Sequence, residues 1–173
     1  MLYVPFISDY KPFYIQFRTG FAIDILNSYS VVVKAHDYPA SFKVKEPYKN
    51  QWKDEHGDEE YIAQDGLKFE AFTFRMECVM FARGATLDAA IADLKNGVAA
   101  FRNALMQGFM RTYDSWTGWG FKDVRVDEFQ PPSDNAYGAW NDYARVIFTV
   151  VLKVNDPITS MKYNPSLNLI VEG

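Results

Sequence analysis

The stretch from Glu70 to Ala82 constrains this chain more than any other. Phe72, Phe74, Met76, Cys78 and Met80 recur at period two on one side, while Thr73, Arg75 and Glu77 take the other. A strand that long, apolar on one face, predicts a sheet with one side in need of cover. The cover follows directly in the sequence. Arg83 and Gly84 break the alternation and Thr86 supplies an N-cap. Leu87, Ile91, Leu94, Val98, Phe101 and Leu105 then recur at steps of four and three. This spacing predicts an amphipathic helix from Leu87 to Gln107, stopped by Gly108. Gly97 inside it costs about 1 kcal/mol relative to alanine.

Period-two patterning recurs on both sides of this pair. Extended segments are predicted at Phe13 to Phe17, Tyr29 to His36, Phe42 to Val44, Phe109 to Tyr113 and Lys122 to Phe129. The longest is last, where Ala144, Val146, Phe148, Val150, Leu152 and Val154 alternate with Tyr143, Arg145, Thr149 and Lys153. Its expected partner is the strand before it, across the turn-rich QPPSDNAYGAWND loop. The fold class is therefore mainly β (α+β): a β sandwich or barrel-like sheet flanked by one long amphipathic α-helix. A length of 173 residues fits a single domain. Two segments stand apart from the pattern. The polar, acidic run at 48–66 reads as a long loop or projecting hairpin, and loops of that length are usually either functional or disordered. The segment 156–173 ends in LNLIV, which reads as an added strand or an arm that pairs with a neighbour.

Composition narrows the partners. With 18 basic against 22 acidic residues, the bases scattered among the acids, no stripe suited to a phosphate backbone is visible. No segment reads as a signal peptide or as a transmembrane helix, so no membrane partner is expected. A single cysteine, Cys78, excludes an internal disulfide framework. His36 and His56 lie in no zinc-binding spacing, and the acids from Asp54 to Glu60 fail the EF-hand pattern. His36 reads as a surface or partly buried residue at a strand end. No glycine-rich phosphate loop and no convergent nucleophile, base and acid stand out, so no catalytic residue, cofactor or metal is assigned. The aromatic residues are more telling. Trp116, Trp119 and Trp140 cluster in the loops on either side of the Lys122 to Phe129 strand, and Trp and Tyr are enriched at protein interfaces. Together with Trp52, His56, Asp58, Glu59 and Tyr61 of the acidic loop, they are the candidate subunit-interface residues. Two other functions fit parts of this pattern: a small-molecule or carbohydrate-binding domain using Trp116, Trp119 and Trp140, and a metal-dependent enzyme centred on His56 and its acids.

The order of parts, with WKDEHGDEEYIAQDGLKFEAFTFRMECVMFARG at its centre and one helix after it, resembles the distal tail and tail-tube proteins of long-tailed bacteriophages. The likeness rests on the strand from Gly66 to Phe81, where Phe69, Glu70, Phe72 and Phe74 stand, and on the helix from Leu87 to Gln107. It implies a sandwich or barrel flanked by a helix, without catalytic function. Such proteins assemble as hexameric rings through which DNA passes. For this chain the resemblance implies self-association, contact with other tail proteins, and DNA as passing cargo only. It also implies a place in the virion after synthesis in the bacterial host cytoplasm. Physical reasoning adds a motive for assembly. Long strands leave unpaired edges, and ring closure can satisfy them between subunits. The 48–66 segment would then reach the next subunit, and an acidic lumen would keep DNA from adhering to the wall.

Overall fold

The computed structural model describes residues 1–3, 10–18, 20–46, 48–50, 59–61, 66–140 and 143–173, with the backbone alone at residues 3, 48–50, 59–61 and 140. The first half contains β1 (Leu2–Tyr3), β2 (Phe13–Phe17), β3 (Ile23–Asp24), a one-turn helix α1 (Ile25–Tyr29), β4 (Val31–His36), β5 (Tyr48–Asn50), β6 (Glu59–Tyr61) and β7 (Phe72–Ala82). The long helix α2 (Leu87–Leu105) follows. After it come β8 (Met110–Asp114), β9 (Trp119–Gln130), β10 (Tyr137–Trp140), β11 (Tyr143–Asp156), β12 (Met161–Asn164) and β13 (Leu169–Glu172). The protein is mainly β, with a large antiparallel sheet and one long helix, as the two periodicities predict.

Among the described residues nine strands form the main sheet, in the order β1-β7-β11-β9-β8-β2-β3, with β4 also on β7 and β10 also on β11. At its centre β7 and β11 pair along their length, from Ala82 opposite Ala144 to Phe72 opposite Val154. The other edge of β11 takes β9, the partner expected from sequence, with a register shift between Val151 and Leu152. The sheet is strongly curled. Four steps of hydrogen-bonded pairing separate β4 from β8, which would be about 19 Å in a flat sheet. Yet His36 at the end of β4 lies 3.3 Å from Asp114 at the end of β8. Of the two predicted forms, the barrel-like one describes this sheet.

The concave face holds the core. Phe74, Met76, Cys78 and Met80 from β7, Val146, Phe148 and Val150 from β11, and Phe13 and Ile15 from β2 share it with Leu94, Val98, Phe101 and Leu105 of α2. Thr86 caps the helix by accepting a hydrogen bond from the amide of Ala89 at 3.2 Å. The predicted stripe needs one correction at its start, since Leu87 is half exposed and α2 ends at Leu105 rather than Gln107. The glycine at 97 also gains a reason. A methyl group there would lie 3.0 Å from Leu2, so the absent side chain is the notch in which β1 seats.

Other boundaries shift for local reasons. Tyr29, expected in a strand, closes α1: Asp24 caps the turn through the amide of Leu26 at 2.9 Å, and Ser30 ends it in the left-handed conformation. Val44 makes a single antiparallel bridge with Phe69 instead of belonging to a strand from Phe42. The tail beyond Asp156 folds back on its own chain as the β12–β13 hairpin, a two-stranded sheet of its own. No helix among the described residues is long and apolar enough to cross a membrane.

Candidate functional site

Beyond β4 the chain leaves the sheet and returns to it at β7, and the two legs run together. Lys45 donates its amide to the carbonyl of Lys68, and Glu70 donates to that of Lys43, both at 2.8 Å, on either side of the Val44–Phe69 bridge. Further out, β5 and β6 pair with Tyr48 opposite Tyr61, Lys49 opposite Glu60 and Asn50 opposite Glu59. β5 and β6 are thus a two-stranded ribbon within the acidic segment, with Glu59 and Tyr61 on its returning strand. Trp52, His56 and Asp58 lie outside the described residues. At the root, Phe42 packs on Phe72 and Trp119 at ring separations of 5.2 and 5.9 Å. These rings continue through Tyr38, Phe74 and Phe121 into the core, so the two legs are anchored by aromatic packing from below.

The β8–β9 turn separates the two tryptophans that the sequence groups together. Asp114 is 3% exposed and organises this turn. Its Oδ1 accepts from the amide of Trp116 and its Oδ2 from the hydroxyl of Thr117, both at 2.8 Å. Oδ2 also faces His36 Nε2 at 3.3 Å. Tyr38 donates its hydroxyl to the same carboxylate. Burial, followed by the Asp114 charge, pushes the Tyr38 hydroxyl far above its ordinary range. Trp119 is turned toward this cluster, 5.3 Å from Tyr38. Trp116 is 70% exposed and overhangs a groove of about 210 Å³ between β2 and β4, which Phe13, Val32, Lys34 and His36 also line. Trp140 stands opposite Tyr143 in the β10–β11 ladder, away from this turn.

The chemistry available at the Asp114 cluster is positional. The Trp116 amide, the Thr117 and Tyr38 hydroxyls and His36 converge on one buried carboxylate, which thereby fixes the turn and the rings around it. Cys78 is fully buried, and burial pushes its thiol far above the reactive range. Among the described residues no group of three or more His, Cys, Asp or Glu side chains is placed to hold a metal ion. His56 and Asp58, on which such a centre was conceivable, lie outside them.

A second surface escaped sequence reasoning. The β12–β13 hairpin covers the convex side of β2 and β8, where Met161 and Ile170 are fully buried against Tyr14, Tyr113 and Tyr163. Gln16 accepts from the amide of Ile170 at 2.5 Å and donates to the carbonyl of Gly20 at 3.0 Å, while Arg111 donates to the carbonyl of Ile170 at 2.8 Å. Strand alternation alone places Gln16 on a solvent face. Only the hairpin, more than 150 residues away in sequence, buries it. Gly120 marks the closest approach, because an added methyl would lie 2.3 Å from the carbonyl oxygen of Met161. Gly120→Ala is expected to cost about 2 kcal/mol and to loosen the hairpin, measured by urea unfolding and by amide exchange at Ile170.

The hairpin also carries a pH dependence. Tyr14 stacks on Tyr163 at 4.0 Å, and burial, with the neighbouring Tyr163 and Asp24, pushes its hydroxyl up to about 12. A raised phenol favours the folded state while it stays protonated. This contribution is complete below the ordinary value near 10 and is lost as pH rises toward 12. Near-ultraviolet circular dichroism through that window should report release of the tyrosine pair, and Tyr14→Phe should move the transition upward.

Compared with protein-family models, with curated proteins and with solved structures, the chain matches none.

Proposed function

We propose that this protein is a non-enzymatic structural component of a phage or prophage tail. It would form a homo-oligomeric ring, expected to be sixfold, at the tail tube or its distal end, with DNA as passing cargo. The observation that carries this reading is the paired arm between β4 and β7, rooted in the curled sheet. A two-stranded ribbon gains little from packing on itself in water, and its value to the fold is small. Its natural use is contact with another chain. The outer edge of β4 supports the same reading, since among the described residues no strand pairs with it. One curled sheet covered by one helix also agrees with the architecture that the tail-protein resemblance implies.

Native mass spectrometry and negative-stain microscopy of the full chain test this proposal. The expected result is a closed ring of uniform subunit number at high protein concentration. A strict monomer at hundreds of micromolar, with no rings on the grid, would sink it. Trp116 over the β2–β4 groove supports a second reading, a small-molecule or carbohydrate-binding domain. Tryptophan fluorescence titrated with a panel of sugars and lipids discriminates. A saturable change lost in Trp116→Ala would favour it, and no response would remove it.

A further inference from the structure

A second groove, of about 250 Å³, opens at the end of β2 beside the β12–β13 hairpin. Arg18, Arg111 and Lys122 line it together with Phe17, Phe109 and Asp123. Local structure explains why the three bases converge. β8 and β9 pair Met110 with Val124 but Thr112 with Phe121, so Lys122 and Asp123 both stand against Arg111. A bulge of this kind re-aims the side chains around it. Asp123 absorbs the extra residue in the left-handed backbone region, at φ 52°, and Asn155 Nδ2 donates to its carbonyl at 3.3 Å. On the other edge of β8, Gln16 stands opposite Arg111. Its amide donates to the carbonyl of Gly20 and accepts from the amide of Ile170, so the turn that carries Arg18 is tied both to the sheet and to the hairpin.

The charges in this groove are unequally matched. Lys122 Nζ is bound to Glu172 at 2.8 Å. Arg111 is half-buried and donates Nη1 to the carbonyl of Ile170 at 2.8 Å. The Glu172 carboxylate feels the Arg111 charge, but Lys122 already holds it. Arg18 is exposed, and among the described residues no ion pair or hydrogen bond engages its guanidinium. Asp123 lines the same groove, yet among the described residues its carboxylate pairs with neither arginine. Two guanidinium forks therefore line one small space with most of their N–H groups uncommitted. Such forks match the oxygens of a carboxylate or a phosphate. Phe109, 41% exposed in the same lining, adds an apolar surface. The space falls below the roughly 300 Å³ at which drug-sized pockets begin, so its ligand is small. We propose that Arg18 and Arg111 hold the oxyanion of a small organic phosphate or carboxylate, whose apolar body lies against Phe109. This site does not depend on the ring reading above.

Isothermal titration calorimetry of the full chain with phenyl phosphate and with benzoate tests it. Saturable binding of at least one probe is expected, with a Kd of about 1 mM or tighter that weakens in high salt. The tighter probe tells whether a phosphate or a carboxylate is the preferred group. Arg18→Gln removes no bond among the described residues, so it should leave the circular dichroism unchanged while weakening binding at least about tenfold. Arg111→Lys keeps the charge but loses the fork, and should weaken binding about fivefold. Asp123→Asn removes the unpaired carboxylate from the groove, and should tighten binding about twofold or more. No saturable heat up to about 10 mM of either probe, or binding unchanged by Arg18→Gln, would overturn the site. A short DNA duplex that binds more tightly than both probes, and loses that binding in Arg18→Gln, would assign the arginines to a polymer backbone and overturn the small ligand.

Discussion

Replacing Phe101 with alanine is expected to lower stability by about 3–5 kcal/mol, the largest effect of any single change on α2. Phe101 is fully buried and meets Tyr29 of α1 at 5.4 Å and Phe148 of β11 at 6.1 Å. Its loss opens a cavity where the helix, the one-turn helix and the sheet converge, and a barrel-like sheet cannot collapse far to fill it. Leu87→Ala is the contrast. Leu87 belongs to the same periodic stripe, yet it is half exposed at the first turn, and its removal should change stability by less than about 0.5 kcal/mol. Urea unfolding of the two variants measures both. Equal effects would mean that α2 does not lie on the sheet as described.

The second large effect belongs to Asp114. Asp114→Ala removes the acceptor for the Trp116 amide and the Thr117 hydroxyl and leaves Tyr38 and His36 facing an apolar gap, at an expected cost of about 2–4 kcal/mol. Asp114→Asn keeps the shape but turns one acceptor into a donor, so it should fall between the alanine variant and the original. Fluorescence adds a local readout. Trp119 sits against Tyr38 while Trp116 is already exposed, so a red shift in emission should come chiefly from Trp119 and disappear in an Asp114→Ala, Trp119→Phe double variant. A stable Asp114→Ala protein with unchanged emission would show that the turn does not depend on its carboxylate.

These two residues mark how far the sequence could be read. Phe101 was legible because helical and strand periodicities are local, and each fixes a face without knowing its partner. Asp114 falls between the predicted strand that ends at Tyr113 and the loop that holds Trp116 and Trp119. Its Asp-x-x-Thr spacing signals a side-chain cap, but nothing local says that His36 and Tyr38 arrive from a strand four pairings away. The different surroundings of Trp116 and Trp119 were illegible for the same reason, because one turn points the first over the groove and the second toward Tyr38. The arm was visible as polarity without period. Its pairing at Val44 and Phe69 was not, because one bridge leaves no repeating pattern. Gln16 and Gly120 were illegible altogether, their roles being set by a hairpin distant in the chain.

The central pairing of β7 with β11 has a consequence for how the chain comes into being. Residues 72–82 meet residues 144–154, so the two strands that carry most of the core are separated by the sixty residues 83–142, which contain the helix and β8 to β10. Contacts that distant are slow to form, because the loop must close before they return any energy. During translation β7 emerges long before β11, with its apolar face exposed and, although β1 and β4 can already pair with one edge, the other edge open. α2, the next element to leave the ribosome, is the first that can shelter that face. The helix that completes the finished core would thus serve earlier as a guard for an unfinished sheet, and variants that weaken it would be expected to aggregate during synthesis before they unfold at equilibrium.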